Sequence, residues 1–205
     1  MNKFSKKPIS ENKLDQWIKL EKNVLLIGEK GTGKTSRILE GFDRNKLKYK
    51  YFSGATLDPW VHVIGVPKVK TGDDGKDWLD FILPEGMDSE LEAIFVDEYN
   101  RTPKIVRNAL LEMQQFKSIN GRKFPKLKFV WAAINPPKDE DDADSGDYDV
   151  EELDDAQLDR FHVIVETPNV PDKKYFKSKY SDYVAETLIN WWKKQPKSAK
   201  KILSP

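Results

Sequence analysis

The chain contains 205 residues, which is long enough for one α/β core with a small appendage. Its 35 basic residues nearly balance its 34 acidic ones, so the net charge of +1 gives no reason to expect binding to nucleic acid or to an acidic membrane. With no cysteine the chain has neither a disulfide framework nor a thiolate metal site, and no apolar run approaches the roughly 20 residues that span a bilayer, so we expect a cytoplasmic protein.

The first predicted helix begins after Ser10, a residue type that commonly caps a helix N-terminus. Leu14, Trp17 and Ile18 recur at the i, i+3, i+4 spacing of a helix with one buried face. The apolar run over 23–27 then predicts a short strand. A helix followed at once by a buried strand is the expected beginning of an α/β core.

A glycine-rich loop follows this strand and reads G-E-K-G-T-G-K-T, the G-x-x-x-x-G-K-T pattern of a phosphate-binding loop. Glycines let the backbone wrap closely and aim several N–H groups at one phosphate, and the helix predicted from Lys34 to about Phe42 begins with its positive dipole end towards the same anion. A glycine-rich turn opening an ordinary helix is the alternative, and the strand–loop–helix context argues against it. The predicted nucleotide-binding residues are Gly28, Glu29, Lys30, Gly31, Thr32, Gly33, Lys34 and Thr35.

Two residues of this loop have specific predicted partners. Lys34 is expected to reach the β- and γ-phosphates, and the Thr35 hydroxyl is expected to hold Mg²⁺.

Downstream of the loop, alternation of apolar and charged residues over 47–53 predicts a half-solvated strand at the edge of a parallel sheet. Two apolar-bearing arms around a Gly/Asp turn then predict a hairpin inserted at about 55–84.

The second informative stretch is the apolar run over 93–96, which ends in Asp97 and Glu98. A buried parallel strand reads as a continuous apolar run, and ligands bind beyond its carboxyl end. We therefore predict that Asp97 lies near the Mg²⁺ held by Thr35, and that Glu98 takes a proton from the attacking water as general base. A helix cap or a solvated carboxylate pair is the alternative.

The sequence over 102–135 predicts a helix, a turn and a second buried strand. Thr102 is expected to cap a helix with Pro103 in its first turn. Asn120-Gly121 predicts a turn, and the apolar run over 127–134 predicts a strand that ends at Asn135. The Asn135 amide is placed to orient the attacking water or to contact the γ-phosphate. The apolar stripe expected on the helix consists of Val106, Leu110 and Met113 and runs to Phe116.

The last third of the chain contains an acidic stretch, one strand and one helix. A solvated loop is the prediction for 139–146, and a Ca²⁺ site is the alternative, although the spacing does not match the calcium-loop pattern. A final core strand is predicted over 162–166. The pattern over 181–194 predicts a helix, and its expected buried face consists of Val184, Leu188 and Trp192.

Taken in order, these elements resemble the AAA+ ATPases, and within them the MoxR branch and its dynein-related relatives. The resemblance covers about 23–166. It implies an α/β P-loop NTPase fold with a five-stranded parallel sheet flanked by helices and the start of a helical lid. The motifs that carry it are V-D-E-Y-N-R at 96–101 (D-E-x-N-R in that branch), N-A-L-L-E-M at 108–113 (N-A-L-L-E-x-M), A-I-N-P at 133–136 (A-T-x-N-P) and L-D-D-A-Q-L-D-R-F at 153–161 (L-x-x-A-x-L-D-R-F).

The resemblance also assigns roles to single residues. It implies that Asn135 is the first sensor of the nucleotide, and that Arg160 is an arginine finger acting on ATP bound to a neighbouring subunit. An ordinary surface residue beside a buried Phe161 is the alternative for Arg160. For Arg101 the resemblance suggests an interface role, and a contact at a helix entry is the alternative.

Residues 1–168 are expected to form the AAA+ core and 169–205 the beginning of a helical lid. In the MoxR branch the lid carries a second sensing arginine in an S-P-R sequence, whereas this chain ends at Ser204-Pro205. We therefore expect the chain to be the front part of a longer protein, with a naturally lidless ATPase as the alternative.

The implied activity is Mg²⁺-dependent ATP hydrolysis by a homo-oligomeric ring that remodels a protein partner, such as one with a von Willebrand A domain. Two other classes stay open. A nucleotide-gated protein would assemble on ATP with little turnover. A nucleic-acid-associated motor would need a basic surface. The nearly neutral net charge and the lack of a clear basic–aromatic stripe in the sequence argue against this class, although the pore of a ring can be basic locally.

Overall fold

The computed structural model describes residues 9–136, 153–196 and 199–200. The helices and strands are, in chain order, α1 (Glu11–Lys19), β1 (Val24–Gly28), α2 (Lys34–Arg44), β2 (Tyr49–Ser53), β3 (Val66–Thr71), β4 (Asp77–Ile82), β5 (Ala93–Asp97), α3 (Lys104–Phe116), β6 (Ser118–Ile119), β7 (Arg122–Lys123), β8 (Phe129–Ile134), α4 (Asp155–Leu158), β9 (Val163–Thr167), α5 (Lys173–Lys179) and α6 (Asp182–Lys194).

Five of these strands form one parallel sheet in the order β2-β5-β8-β1-β9. β1, which precedes the glycine-rich loop, lies between β8 and β9, and β2 lies at an edge as its alternating pattern predicts. The predicted α/β architecture with a five-stranded parallel sheet flanked by helices is therefore confirmed. All carboxyl ends of the strands meet at one edge of the sheet.

The sheet is covered on both faces, and this explains the continuous apolar runs of its strands. Side chains alternate along β1: Leu25 packs with α3 on one face, whereas Val24 and Leu26 pack with α1 and α2 on the other. The predicted stripe on α3 is fully buried at Val106, Leu110 and Met113, whereas Phe116 at its end is 63% exposed. The predicted first helix is also confirmed, because Ser10 caps α1 and Leu14 and Ile18 are buried.

The prediction that Thr102 caps α3 is wrong. The helix begins at Lys104, with Pro103 in the cap position and no side-chain hydrogen bond there. Thr102 is extended, and its backbone N–H donates to the Tyr99 carbonyl oxygen at 3.1 Å. Thr102 therefore closes the short 3-10 turn of Tyr99–Arg101 and does not open the helix. Its hydroxyl is buried and finds no hydrogen-bond partner within the described ranges.

The predicted insert is an antiparallel hairpin of β3 and β4, preceded by a π-helical segment over Pro59–Ile64 that the sequence pattern did not indicate. Asp58 begins that segment, and its carboxylate accepts hydrogen bonds from the next backbone N–H groups. Most hairpin side chains are exposed, including the cross-strand pair Val69 and Leu79 at 66% and 67%. The hairpin therefore projects from the core as a two-stranded ribbon.

Helix α6 forms as predicted, with Ser181 as its cap, and Trp192 is buried as predicted, but the prediction that Val184 and Leu188 are buried is wrong. The structure buries Ala185, Ile189 and Trp192, whereas Val184 is 40% exposed and Leu188 is 38% exposed. The helix carries two adjacent apolar stripes that share Trp192. Spacing alone cannot choose between them, because both fit the helical period.

Some predictions lie outside the described residues, among them the solvated loop at 139–146 and its Ca²⁺ alternative, and the chain end at Ser204-Pro205. The division into 1–168 and 169–205 stays a prediction, with α5 and α6 as the described helices of the second part. No helix in the described ranges is both long and apolar enough to cross a bilayer.

The assignment of the buried face of α6 can be tested by comparing neighbouring residues. Ile189→Ala removes a side chain that is 5% exposed, so we expect the free energy of unfolding to fall by about 2–4 kcal/mol. Leu188→Ala, the control in the same turn, should lower it by less than about 1 kcal/mol. Urea denaturation measures both. If Leu188→Ala lowered the free energy of unfolding as much as Ile189→Ala or more, the buried face of α6 would be the one expected from the sequence, with Val184 and Leu188.

Candidate nucleotide-binding site

The glycine-rich loop joins β1 to α2 and leaves the beginning of that helix without a side-chain cap. Gly31 and Gly33 have φ angles of 80° and 75°, in the left-handed region that favours glycine. Gly33 occupies the cap position, and no acidic side chain lies in the first turn. The first N–H groups of α2 therefore have no side-chain acceptor, which is the arrangement that binds an anion at a helix N-terminus.

Close packing explains the glycine at the start of the loop. A methyl carbon added to Gly28 would lie 2.9 Å from the Thr167 carbonyl oxygen and 3.3 Å from the Thr32 hydroxyl. Thr167 is the last residue of β9, the neighbour of β1 in the sheet. The first glycine of the motif therefore lets the start of the loop pack closely against the end of β9.

Lys34 lies beneath the loop and is only 6% exposed. Its Nζ donates hydrogen bonds to the carbonyl oxygens of Gly28 at 2.7 Å and Glu29 at 2.9 Å, and to Oδ1 of Asn135 at 3.1 Å. Burial lowers the pKa of Lys34, and the nearby carboxylates of Asp97, Glu29 and Glu98 oppose that effect. The ammonium group is thus held at the junction of the loop and β8.

Thr35 and Asp97 come together from two different elements. The Thr35 hydroxyl, in the first turn of α2, donates a hydrogen bond to Oδ2 of Asp97 at the end of β5. The other carboxylate oxygen of Asp97 accepts from the Glu98 backbone N–H at 2.9 Å. A hydroxyl and a carboxylate oxygen in contact form a donor pair of the kind that Mg²⁺ prefers, and Mg²⁺ takes its other ligands from phosphate and water. The residues present therefore fit a magnesium ion.

This pair is not a complete metal site by itself. No group of three or more His, Cys, Asp or Glu side chains that could hold a metal ion occurs in the described part of the chain. Thr35 and Asp97 alone can supply only two ligands. A site of this kind binds metal together with a phosphorylated ligand, which is how Mg²⁺ is usually held by carboxylates and substrate phosphates.

Glu98 follows Asp97 with its backbone in the left-handed conformation, at φ 51° and ψ 43°. One oxygen of its carboxylate pairs with Nη1 of Arg101 at 3.1 Å. The two side chains are 31% and 30% exposed, so this ion pair is partly screened by water. The backbone turn directs the chain away from the sheet directly after the two carboxylates.

Asn135 begins the segment after β8 and is linked to two neighbours. Its Oδ1 accepts from Lys34, and its backbone carbonyl oxygen accepts from Nδ2 of Asn100 at 3.2 Å. Asn100 is 4% exposed. The sequence motif contained Asn100, but no role followed for it from the pattern. The signal that could have pointed to it is a polar residue two positions after Glu98, in the 3-10 turn that follows β5, the strand beside β8.

Arg160 does not join the loop. Within the described residues its guanidinium donates to the carbonyl oxygen of Ala156 at 3.2 Å and to Oε1 of Gln115 at 3.3 Å. Its backbone carbonyl oxygen accepts from the side chain of Asn23 at 3.0 Å. The structure therefore brings Lys34, Thr35, Asp97 and Asn135 together and leaves Arg160 on a separate surface.

Asn23 is a second residue that sequence reasoning missed. It is 3% exposed, and its Oδ1 accepts the backbone N–H of Val130 in β8 at 2.9 Å. Its own backbone N–H donates to Nδ1 of His162 at 2.9 Å. Together with its bond to Arg160, these contacts fasten the start of β1 to both neighbouring strands.

Comparison with known proteins supports the fold. No protein-family model matches the chain, and no curated protein matches it. Among solved structures, a protein from Cytophaga hutchinsonii ATCC 33406 named as a putative ATPase matches with a TM-score of 0.55 and 21% sequence identity. The match covers 82% of this chain and 47% of the other, so the chain spans about half the length of that protein. The chain has the α/β fold of a P-loop NTPase.

Proposed function

We propose that the chain binds ATP with Mg²⁺ and hydrolyses it. The observation that carries this proposal is the convergence of Lys34, Thr35, Asp97 and Asn135 at the carboxyl edge of β1, β5 and β8. In open α/β sheets ligands bind beyond the carboxyl ends of the strands. A buried cation, a hydroxyl–carboxylate pair and an uncapped helix N-terminus beside one glycine-rich loop match the triphosphate of a nucleotide with its metal ion.

The loop and Lys34 bind the phosphate chain. The N–H groups of 31–35 surround a phosphate, and Nζ of Lys34 exchanges a carbonyl partner for β- and γ-phosphate oxygens. Thr35 and Asp97 would hold Mg²⁺, which would supply positive charge to neutralise the phosphate chain. Positioning and charge neutralisation supply most of the catalysis in reactions of this class.

Glu98 is the proposed general base. It accepts a proton from the water that attacks the γ-phosphorus, while the bond from that phosphorus to the bridging oxygen of ADP breaks. The ion pair with Arg101 does not prevent this role, because a pair exposed by about a third contributes little energy and the carboxylate can turn away from it. Asn135 lies beside Lys34, where its amide orients the water or contacts the γ-phosphate.

Arg160 is the proposed arginine finger for a neighbouring subunit. Its guanidinium is bonded to Ala156 and Gln115 and not to its own loop, which suits a residue that acts across an interface. A trans arginine of this kind adds roughly three to five orders of magnitude to the rate in related phosphoryl-transfer systems. The proposal therefore includes a homo-oligomeric ring.

The proposal extends to a branch and a partner. The motifs around Asp97, Glu98, Asn135 and Arg160 support a MoxR-like or dynein-related AAA+ ATPase that remodels a protein partner, such as one with a von Willebrand A domain. The fold match with a protein named as an ATPase supports the coarser part of this proposal. ATP binding without phosphate release would favour a nucleotide-gated assembly protein instead.

The first experiment tests nucleotide binding. Lys34→Ala removes the cation beneath the loop, so we expect affinity for a fluorescent ATP analogue to fall by roughly 100-fold or more. Lys13→Ala, which changes an exposed lysine of α1, is the matched control and should bind normally. Circular dichroism confirms that both variants fold. Affinity within a few-fold of wild type in Lys34→Ala would refute the assignment of the loop.

The second experiment separates the two carboxylates. Glu98→Gln keeps the shape of the side chain but removes the base, so ATP should bind normally while phosphate release slows by about 100-fold or more. Asp97→Asn should instead weaken the dependence of nucleotide binding on Mg²⁺. Phosphate release and a magnesium titration measure these effects. Undiminished hydrolysis in Glu98→Gln would mean that the water is activated elsewhere.

The third experiment tests whether Arg160 acts in trans. Arg160→Ala subunits keep a nucleotide site and Lys34→Ala subunits keep a finger, so mixed assemblies should regain part of the activity that each lacks alone. Light scattering confirms that the subunits have mixed. Arg44→Ala, which breaks an exposed ion pair with Asp15, is the control and should stay active. No recovery in verified mixed assemblies would contradict a trans finger.

A further inference from the structure

The backbone of Glu98 needs support from its surroundings. Its left-handed conformation, at φ 51° and ψ 43°, is uncommon for a residue with a side chain and persists only where neighbouring groups enforce it. On one side, the Arg101 N–H donates to the Glu98 carbonyl oxygen at 2.8 Å, and Asp97 accepts from the Glu98 N–H at 2.9 Å. These bonds shape the turn where it leaves β5, and the bond from Asn100 to Asn135 ties its far side to the end of β8.

The sheet side of this turn is formed by the end of β2. Ser53, the last residue of that strand, is paired with Asp97, and Gly54 follows it directly. Gly54 is buried and packs against the peptide group of Glu98. A methyl carbon placed on Gly54 would lie well inside 3.0 Å of the Glu98 carbonyl oxygen, 3.0 Å from the carbonyl carbon and 2.5 Å from the Thr102 hydroxyl.

Conformational freedom does not explain this glycine. Gly54 is absent from the residues with positive φ in the described chain, so any L-residue could adopt its backbone angles. Space is the constraint, and the nearest obstacle is backbone that a side-chain rotation cannot move away. That carbonyl oxygen is also engaged by the Arg101 N–H, so it cannot turn aside without breaking the 98–101 turn.

We propose that Gly54 is a positioning residue for Glu98: its missing side chain lets the end of β2 press against the Glu98 peptide and set the height of the carboxylate above the nucleotide. This inference rests on the proposed role of Glu98 as general base. A side chain at position 54 would have to displace that peptide by roughly 1 Å to reach ordinary contact distance. A general base works only within about 2.6–3.2 Å of the proton it accepts, or through one water.

The effect of Gly54→Ala should therefore fall on turnover and not on binding. Because a misplacement of about 1 Å can cost on the order of 100-fold in rate, we expect single-turnover ATP hydrolysis to slow by roughly 10- to 100-fold. Nucleotide affinity should stay within about 3-fold of wild type, since the loop and Lys34 lie between β1 and α2 and not in the contact between Gly54 and Glu98. Gly41→Ala is the matched control: its methyl group would meet nothing closer than Ile18 Cδ1 at 3.7 Å, so hydrolysis should be unchanged.

A double mutant distinguishes positioning from general damage. If Gly54 acts through Glu98, then adding Gly54→Ala to Glu98→Gln should change the residual rate by less than about 3-fold, because the group being positioned is already gone. A merely structural role would multiply the two losses. Multiplied losses, a parallel fall in nucleotide affinity, or unchanged hydrolysis in Gly54→Ala would each overturn the inference.

The geometric part can be tested without turnover. Crystal structures of wild type and Gly54→Ala should show the Glu98 peptide displaced by roughly 1 Å, and an undisplaced peptide would overturn the inference. Wild-type protein that does not hydrolyse ATP would instead contradict the proposed function. If Gly54→Ala does not fold, the double variant Gly54→Ala/Thr102→Ala is used in its place in every measurement, because it lacks the Thr102 hydroxyl that obstructs the added methyl group. Failure of both to fold while Gly41→Ala folds would make Gly54 a folding determinant and overturn the positioning role.

Discussion

The parallel pairing of β1, β5 and β8 is the constraint on which the candidate site depends. Ile27 lies beside Ile134 and Val96 lies beside Ala132, so the three strands end at nearly the same level of the sheet. The loop, the two carboxylates and Asn135 each lie at the end of one of these strands or directly after it. A shift in the register of one strand would move its functional group by about 3.3 Å per residue and separate the site.

Much of this arrangement was predictable because it depends on local patterns. Strands covered on both faces read as apolar runs, and a loop that binds an anion through its backbone requires glycine at fixed positions. The end of each strand then follows from the run itself, so Asp97, Glu98 and Asn135 could be assigned to one edge. The roles of those residues are still predictions, because the structure gives their positions and contacts and not their chemistry.

The parts that escaped prediction depend on contacts between distant residues. Asn23 and Asn100 bond to backbone groups that lie 107 and 35 residues away along the chain, and no local pattern encodes such partners. Gly54 looks like an ordinary loop glycine until the Glu98 peptide is seen against it. The face of α6 was misassigned for a related reason, since two apolar stripes fit the helical period and only tertiary packing chooses between them.

The uncapped start of α2 has a consequence for the stability of the whole molecule. Glycine in the cap position costs a helix only roughly a few tenths of a kcal/mol relative to a capping side chain, but Gly33 leaves the first N–H groups of α2 without a side-chain acceptor. An anion seated at this end supplies that acceptor, so its binding raises the free energy of unfolding by an amount set by the ratio of its concentration to its dissociation constant. A ligand at 100 times its dissociation constant adds about 2.7 kcal/mol by mass action. The melting temperature of the protein should therefore rise with the concentration of an anion that occupies the loop.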